Sequence, residues 1–439
     1  MSHLGQEAMR RILAGEGGAQ EAENASEHLV SCGQCRIQAG TLIDELRALH
    51  PGLHGEGPLK LVFSLIDQER QWGVESLAAA AEWAEVQRLS RRSQRERVRM
   101  SKACHTIAFF NLVLGELKET SSGEEAEFLA SLALLSVGAM SQNNLARVLT
   151  NDIQAEVWIA VANTRRKAAE WKRAHDALTT AERFWKEGTG DVRLKASLLS
   201  ITASTLADEG QLAKALEALE SCISLYESVS EGPLVARTLV QIANTLAGTE
   251  PAKGLAALNR ASPLIPINDQ YLTLLAGLLR VECLIEVEKA KEALHAFRGC
   301  SLLLATTPKT RMRIRGKFTG ARLLDALGNR QQAERLFDEV VDRDIEHELY
   351  KDAFLDLLYL YERHMKAGNL EKATRVCRRA LTDPTLSEAA HDQMRDLWTQ
   401  LLEAAQREAV SQDLLRELRQ YFIVHWKHPA AVPPSIGFR

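Results

Sequence analysis

No stretch of the 439 residues approaches the roughly 18 uninterrupted apolar positions that a membrane-spanning helix needs. The run Met1-Ser2-His3-Leu4-Gly5-Gln6-Glu7 lacks the basic-then-apolar order of a secretory signal, so the expectation is a cytoplasmic protein with no membrane partner. Neither sign of charge dominates. Lys and Arg number 54 against 58 Asp and Glu, a formal net charge of -4, which excludes a global attraction to nucleic acid or anionic lipid. Cysteine is scarce and odd in number. Of seven, only Cys32 and Cys35 are neighbours, and the others stand singly at 104, 222, 283, 300 and 377 in helical patterns, which fits a reducing compartment and not a disulfide scaffold. Catalytic signatures are missing too: there is no G-x4-G-K-S/T loop, no G-x-S-x-G elbow and no H-E-x-x-H helix. The adjacent Cys104-His105 would point about 100° apart on a helix, so they do not make a nucleophile and base, and a non-enzyme is expected.

What is present is an ordinary globular composition, 46% apolar and 26% charged, in a chain long enough for two or more folding units. From about residue 155 to 381 one phrase recurs. Its anchors are Ala174, Ala215, Gly254, Ala293, Ala333 and Ala373, spaced 39 to 41 residues apart. Four residues after each comes a larger or semi-apolar side chain (Leu178, Leu219, Leu258, Phe297, Phe337, Cys377), and three further on a compact one (Ala181, Cys222, Ala261, Cys300, Val340, Ala380). Steps of four and three trace one helix face. Ala162, Ala203 and Ala321 lie twelve residues before their anchors, and Gly210, Gly328 and Gly368 lie five before theirs, where glycine ends one helix and releases the chain into the next. Each unit therefore reads as helix A, tight turn, helix B, with Cys222, Cys300 and Cys377 as small core residues.

These residues resemble the tetratricopeptide repeat. Trp158, Val161, Ala162, Ala174, Leu178 and Ala181 match its pattern, as do Ala321, Gly328, Ala333 and Phe337, although a period near 40 departs from the usual 34. The resemblance implies an all-α architecture, a TPR-like solenoid of about 40-residue helical hairpins whose concave face receives a protein or peptide. Asn163 and Asn244, at corresponding places, would face that groove. There each offers a donor and an acceptor to a peptide backbone, the alternative being plain exposed helix asparagines.

At the other end, His28, Cys32 and Cys35 form H-x3-C-x2-C, spacings that return to one side of a helix and bring a nitrogen and two sulfurs together. His3, twenty-five residues before His28, is the candidate fourth ligand for a zinc ion, Zn2+, in a closed structural site. The first fifty residues resemble the zinc-binding anti-sigma domain of bacteria, matched at His3, His28, Cys32 and Cys35. That resemblance implies a unit that sequesters an extracytoplasmic-function sigma factor or similar client. So short a segment has little apolar area, and metal binding would supply much of its folding energy, on the order of 10 kcal/mol.

The organisation expected is a small zinc-stapled helical domain over 1–50, divergent helical hairpins over 51–145, TPR-like repeats over 146–385, capping helices over 386–428 and a flexible tail over 429–439. Residues 88–102 carry seven cations, among them Arg91, Arg92 and Arg95, opposed within the run only by Glu96. With no aromatics interleaved, a solvated helix face is favoured over nucleic-acid contact. The leading functional expectation is a bacterial regulator that holds a sigma factor through its zinc domain while the solenoid receives a second protein or peptide signal. The alternative is a non-enzymatic scaffold or adaptor in a proteolytic or defence cascade, with the zinc unit only structural.

Overall fold

A computed structural model describes residues 4–50, 53–54, 56–120, 123–142, 146–168, 170–390 and 392–407. Among these, α-helices joined by short turns and two single-turn 3-10 segments account for the secondary structure, with no strand. Two compact units lie within Met1–Glu116 with Ser131–Asn144, and within Leu117–Ala130 with Leu145–Arg439.

The first unit contains α1 (Gln6–Leu13), α2 (Ala19–Ser31), α3 (Gly33–Leu49), α4 (Leu59–Gln87) and α5 (Arg91–Met100), with parts of α6 (Ile107–Glu119) and α7 (Gly123–Gln142). Met9, Ile12 and Leu13 of α1 meet Leu29 of α2, Leu42 and Ile43 of α3, and Val62, Phe63 and Ile66 from the first turns of α4 in one buried cluster that also includes Cys35. At roughly 1.5–3 kcal/mol per buried large side chain, this core is small for the helices it must hold. After residue 58, α4 is a single helix of 29 residues that runs through Gly73, and Ser90 then caps α5 by accepting from Ser93 N–H. Trp83 of α4 and Phe109 of α6 then pack edge to face, centroids 5.8 Å apart.

The second unit is a stack of six hairpins: α8 (Arg147–Lys167) with α9 (Trp171–Lys186), α10 (Val192–Asp208) with α11 (Leu212–Ser228), α12 (Gly232–Leu246) with α13 (Pro251–Ala261), α14 (Gln270–Glu286) with α15 (Ala290–Thr306), α16 (Thr310–Ala326) with α17 (Arg330–Glu346), and α18 (Tyr350–Lys366) with α19 (Leu370–Thr382). Each A helix packs most closely on its own B helix, and each B helix in turn packs on the A helix of the next hairpin, which is the arrangement of an α-solenoid. The repeat anchors explain it. All six are buried at the start of a B helix, and a side chain larger than methyl there would force the paired helices apart. At Gly254 even a Cβ would come 3.1 Å from Cys283 Sγ.

Four of the A-to-B turns place a residue in the left-handed region. Gly210, Gly328 and Gly368 sit there with φ of 81°, 85° and 69°, and the amide of the next residue closes back on the helix, as Asn329 N–H does on Leu324 C=O at 2.9 Å. In the fourth hairpin Glu288 takes the same place at φ 60° without a glycine's freedom. After the last hairpin come α20 (Pro384–Ala389) and α21 (Asp392–Arg407), which covers the end of the stack with fully buried Trp398, and Tyr361 OH donates to Leu401 C=O at 2.9 Å. The rest of the expected cap and tail, residues 408–439, lies outside the described residues.

Candidate functional site

The expected metal ligands fall on two helices and not on one continuous face. The chain is extended at Cys32, with φ -110° and ψ 99°, so α2 ends and α3 begins there. The Arg36 guanidinium from α3 donates to the Leu29 and Val30 carbonyls at 2.9 and 2.7 Å, filling acceptors that the break leaves open. His28 at the end of α2, Cys32 at the junction and Cys35 in the first turn of α3 thereby converge. Their ligand atoms lie within 4.8 Å of one another, with His28 Nε2 3.3 Å from Cys35 Sγ. Burial pushes the Cys35 thiol up, while the Leu4 backbone N–H acts against that rise and lines the same spot. A nitrogen, two sulfurs and an adjacent chain segment make a donor set suited to a soft divalent ion such as zinc. His3, the fourth expected ligand, lies outside the described residues.

In the solenoid the chemistry sits on the A helices. Charged partners one repeat apart tie five of the six A helices to a neighbour: Arg166 of α8 with Asp208 of α10, Arg315 of α16 with Glu282 of α14 at 3.0 Å, Arg322 of α16 with Glu286 of α14, and Arg363 of α18 with Asp325 of α16 at 2.7 Å. Burial works against the Glu282 carboxylate, yet the Arg315 charge and hydrogen bonds, together with the Arg322 charge, hold it below its ordinary value. Serine and glutamine fill the gap between α10 and α12, where Ser200 Oγ and Gln241 Oε1 are 2.9 Å apart.

Charges from the first two hairpins and the last two also act on each other across the groove. Burial pushes the Lys351 ammonium of α18 down from its ordinary value; Arg166 and Arg311 add to that, while Asp208 and Asp352 oppose it. Lys167, whose ammonium donates to Lys118 C=O at 3.0 Å, is depressed in the same way by burial, Arg166, Arg311 and Lys309. Arg311 has its own carboxylate, Asp352, at 2.8 Å. Lys351 is half-buried with no carboxylate at ion-pair distance among the described residues, so this end of the groove keeps an excess of positive charge.

Both expected groove asparagines are engaged. Half-buried Asn163 accepts from Arg166 at 3.0 Å, and exposed Asn244 accepts from Arg315 at 3.2 Å. In the basic run, Arg92 pairs with Glu96 at 3.5 Å, and Arg95 reaches Ser131 Oγ at 3.4 Å. Arg91 lies on the same helix, α5. Acidic residues of α4 answer the run as well, Glu85 meeting Arg88 at 2.7 Å and Glu82 meeting Arg97 at 2.6 Å, which a count within residues 88–102 misses. Cys104 is buried beside Glu82 and its thiol is pushed up to about 12, while His105 bonds the Val98 carbonyl at 2.9 Å, so neither is set up for nucleophilic work. Sequence reasoning missed the A-helix ion pairs and Lys351. Opposite charges recurring at 33 to 42 residues were the available signal.

No family model matches the chain, and no curated protein matches it. Among solved structures it is similar to a Rap protein complexed with competence and sporulation factor, with 14% identity and a TM-score of 0.44 over 68% of this chain and 98% of that one. It is also similar to aspartyl phosphate phosphatase F from Bacillus subtilis, with 13% identity and a TM-score of 0.48 over 94% of this chain and 98% of that one. Among the described residues no helix is long and apolar enough to cross a membrane.

Proposed function

We propose that the chain is a non-enzymatic adaptor whose solenoid holds an extended, acidic protein or peptide segment in its concave groove. The observation that carries this reading is the half-buried Lys351, set among Arg166 and Arg311 with no ion-pair carboxylate of its own among the described residues. A half-buried cation gains from a partner that brings the missing negative charge, because water screens it less there than at an open surface. Asn163 and Asn244 keep their amide N–H groups for a backbone, and the A-helix ion pairs fix the surface in advance, which lowers the ordering cost of binding. Fluorescence anisotropy with a labelled glutamate-rich decapeptide and its lysine-rich counterpart tests this. The full chain binds the acidic probe and not the basic one, and Lys351→Glu weakens it at least tenfold. Equal binding of both probes, or no loss in the variant, overturns the reading.

In the same reading His28, Cys32 and Cys35, with His3 as fourth ligand, hold a zinc ion whose role is structural, since four protein ligands leave no open position. When bound it would tie α2 to α3 through the thiolates and imidazole. The sigma-factor reading keeps one specific support, the convergence of that donor set at the chain position where the anti-sigma resemblance falls. A pull-down of a purified extracytoplasmic-function sigma factor, with zinc-loaded protein and with Cys32→Ser/Cys35→Ser, separates the two. Retention only by the zinc-loaded chain favours sequestration. No retention leaves the adaptor reading alone.

A further inference from the structure

On the side of α16 away from the groove, a cavity of 490 Å³ opens between the fourth and fifth hairpins, lined by α15, α16 and α17. Helical spacing separates the two surfaces. Gly316, Gly320, Leu323 and the C-cap Leu327 follow one stripe of α16, while Arg311, Arg315, Thr319 and Arg322 follow another, about 120° round the helix. Gly316 and Gly320 supply no side chains, so Leu304 and Phe297 of α15 approach the α16 backbone. A Cβ at Gly316 would run into Leu304, and one at Gly320 would come 3.1 Å from Phe297 Cζ. The cavity is open to solvent, with Ala305 and Arg313 exposed at its rim. Its size is that of pockets which bury a small ligand, roughly 300–1,000 Å³.

The lining is carbon almost throughout, and among the described residues the charged ones along it are Arg313 and Lys317. Exposed Arg313 donates to the Thr307 carbonyl at 3.2 Å and the Thr310 hydroxyl at 3.0 Å, both neutral, and among the described residues no carboxylate neutralises it. Lys317 is tied to Glu339. An apolar slot with an unneutralised guanidinium beside it selects by charge as well as by size. We infer that this crevice binds a small amphiphile of the acyl-carboxylate class, its hydrocarbon tail lying between Phe297, Leu304, Leu323 and Leu336 and its anionic head on Arg313. A cationic amphiphile is refused because its head would meet Arg313 and Lys317, and a neutral alcohol loses the charge-assisted bond.

Isothermal titration of the full chain with dodecanoate, dodecanol and dodecyltrimethylammonium, each below its micelle concentration, decides the matter. Dodecanoate binds saturably at one site, at least tenfold tighter than dodecanol, and the cation does not bind. Ala305→Trp, at an exposed lining position, plugs the crevice and lowers dodecanoate affinity at least tenfold. Arg313→Glu does the same and reverses the preference towards the cation. If Ala305→Trp fails to fold by circular dichroism, the exposed Arg313→Glu change decides alone. Absence of saturable dodecanoate binding overturns the proposal. So does equal binding of anion and cation, or an Arg313→Glu variant that retains parental affinity and preference.

Discussion

Raising the pH should weaken the seam between the fifth and sixth hairpins, because two carboxyl groups face each other there with too few donors. Asp344 near the end of α17 is 1% exposed, and among the described residues neither of its oxygens has a hydrogen-bond donor. Asp356 of α18 stands beside it. Two carboxylates have no hydrogen to share, so only a proton on one of them, Asp356, makes the bond to Asp344. Burial pushes Asp344 up to about 7, with Asp352 adding and Arg311 opposing. Asp356 is raised further by burial and by Asp344, with Arg322 opposing. For acids raised in the folded state, the native chain binds more protons than the unfolded one. Stability is therefore complete below the unfolded value, near 3.8, and is lost as pH climbs towards 7. At about 1.4 kcal/mol per pKa unit, Asp344 alone accounts for an upper bound of about 4 kcal/mol. Asp344→Asn keeps the shape and offers an amide donor to Asp356. Urea unfolding followed by circular dichroism should show the variant within about 0.5 kcal/mol of the parent at pH 4.5 and about 2–4 kcal/mol more stable at pH 8. A parent whose stability does not fall between pH 5 and 8, or a variant destabilised equally at both ends, refutes the reasoning.

Other consequences are local. Burial pushes the His364 imidazole down to about 4, so its share of stability is present above pH 6.5 and lost as pH falls towards 4. His364→Leu should remove an acid-side loss of about 3 kcal/mol in the same unfolding series. Gly328→Ala, at φ 85°, should cost about 1 kcal/mol, whereas Glu288→Gly, at φ 60°, should be neutral or gain a few tenths. Thermal melts of the pair check the opposite signs. Trp398→Ala should cost about 3–5 kcal/mol and, because repeat stability is transmitted to nearest neighbours, hydrogen exchange should rise in α18 and α19 well before α8 and α9.

The hairpins were legible because one helix face carries small residues at a fixed period, and only small residues let paired helices cross that closely. Glu288 was not, since its left-handed turn is imposed by the packing of hairpins around it and not by its own preference. The donor set of His28, Cys32 and Cys35 was legible in its spacing. At the break at Cys32 an arginine four residues later caps the open carbonyls in place of a turn signal. Asn163 and Asn244 could be placed on A helices, but their arginine partners arise three and seventy-one residues away. Lys351 and the Asp344 pair depend on which repeats meet in space, and periodicity within one repeat holds no record of that.

Hydrogen exchange on the full chain, with and without saturating glutamate-rich decapeptide, maps where the groove is used. Slowed exchange should concentrate on α10, α14, α16 and α18, strongest around Lys351, and should vanish in Lys351→Glu. Slowing confined to the B helices α9, α11, α13 and α15, or none in a bound complex, would mean that the concave surface is not the receptor.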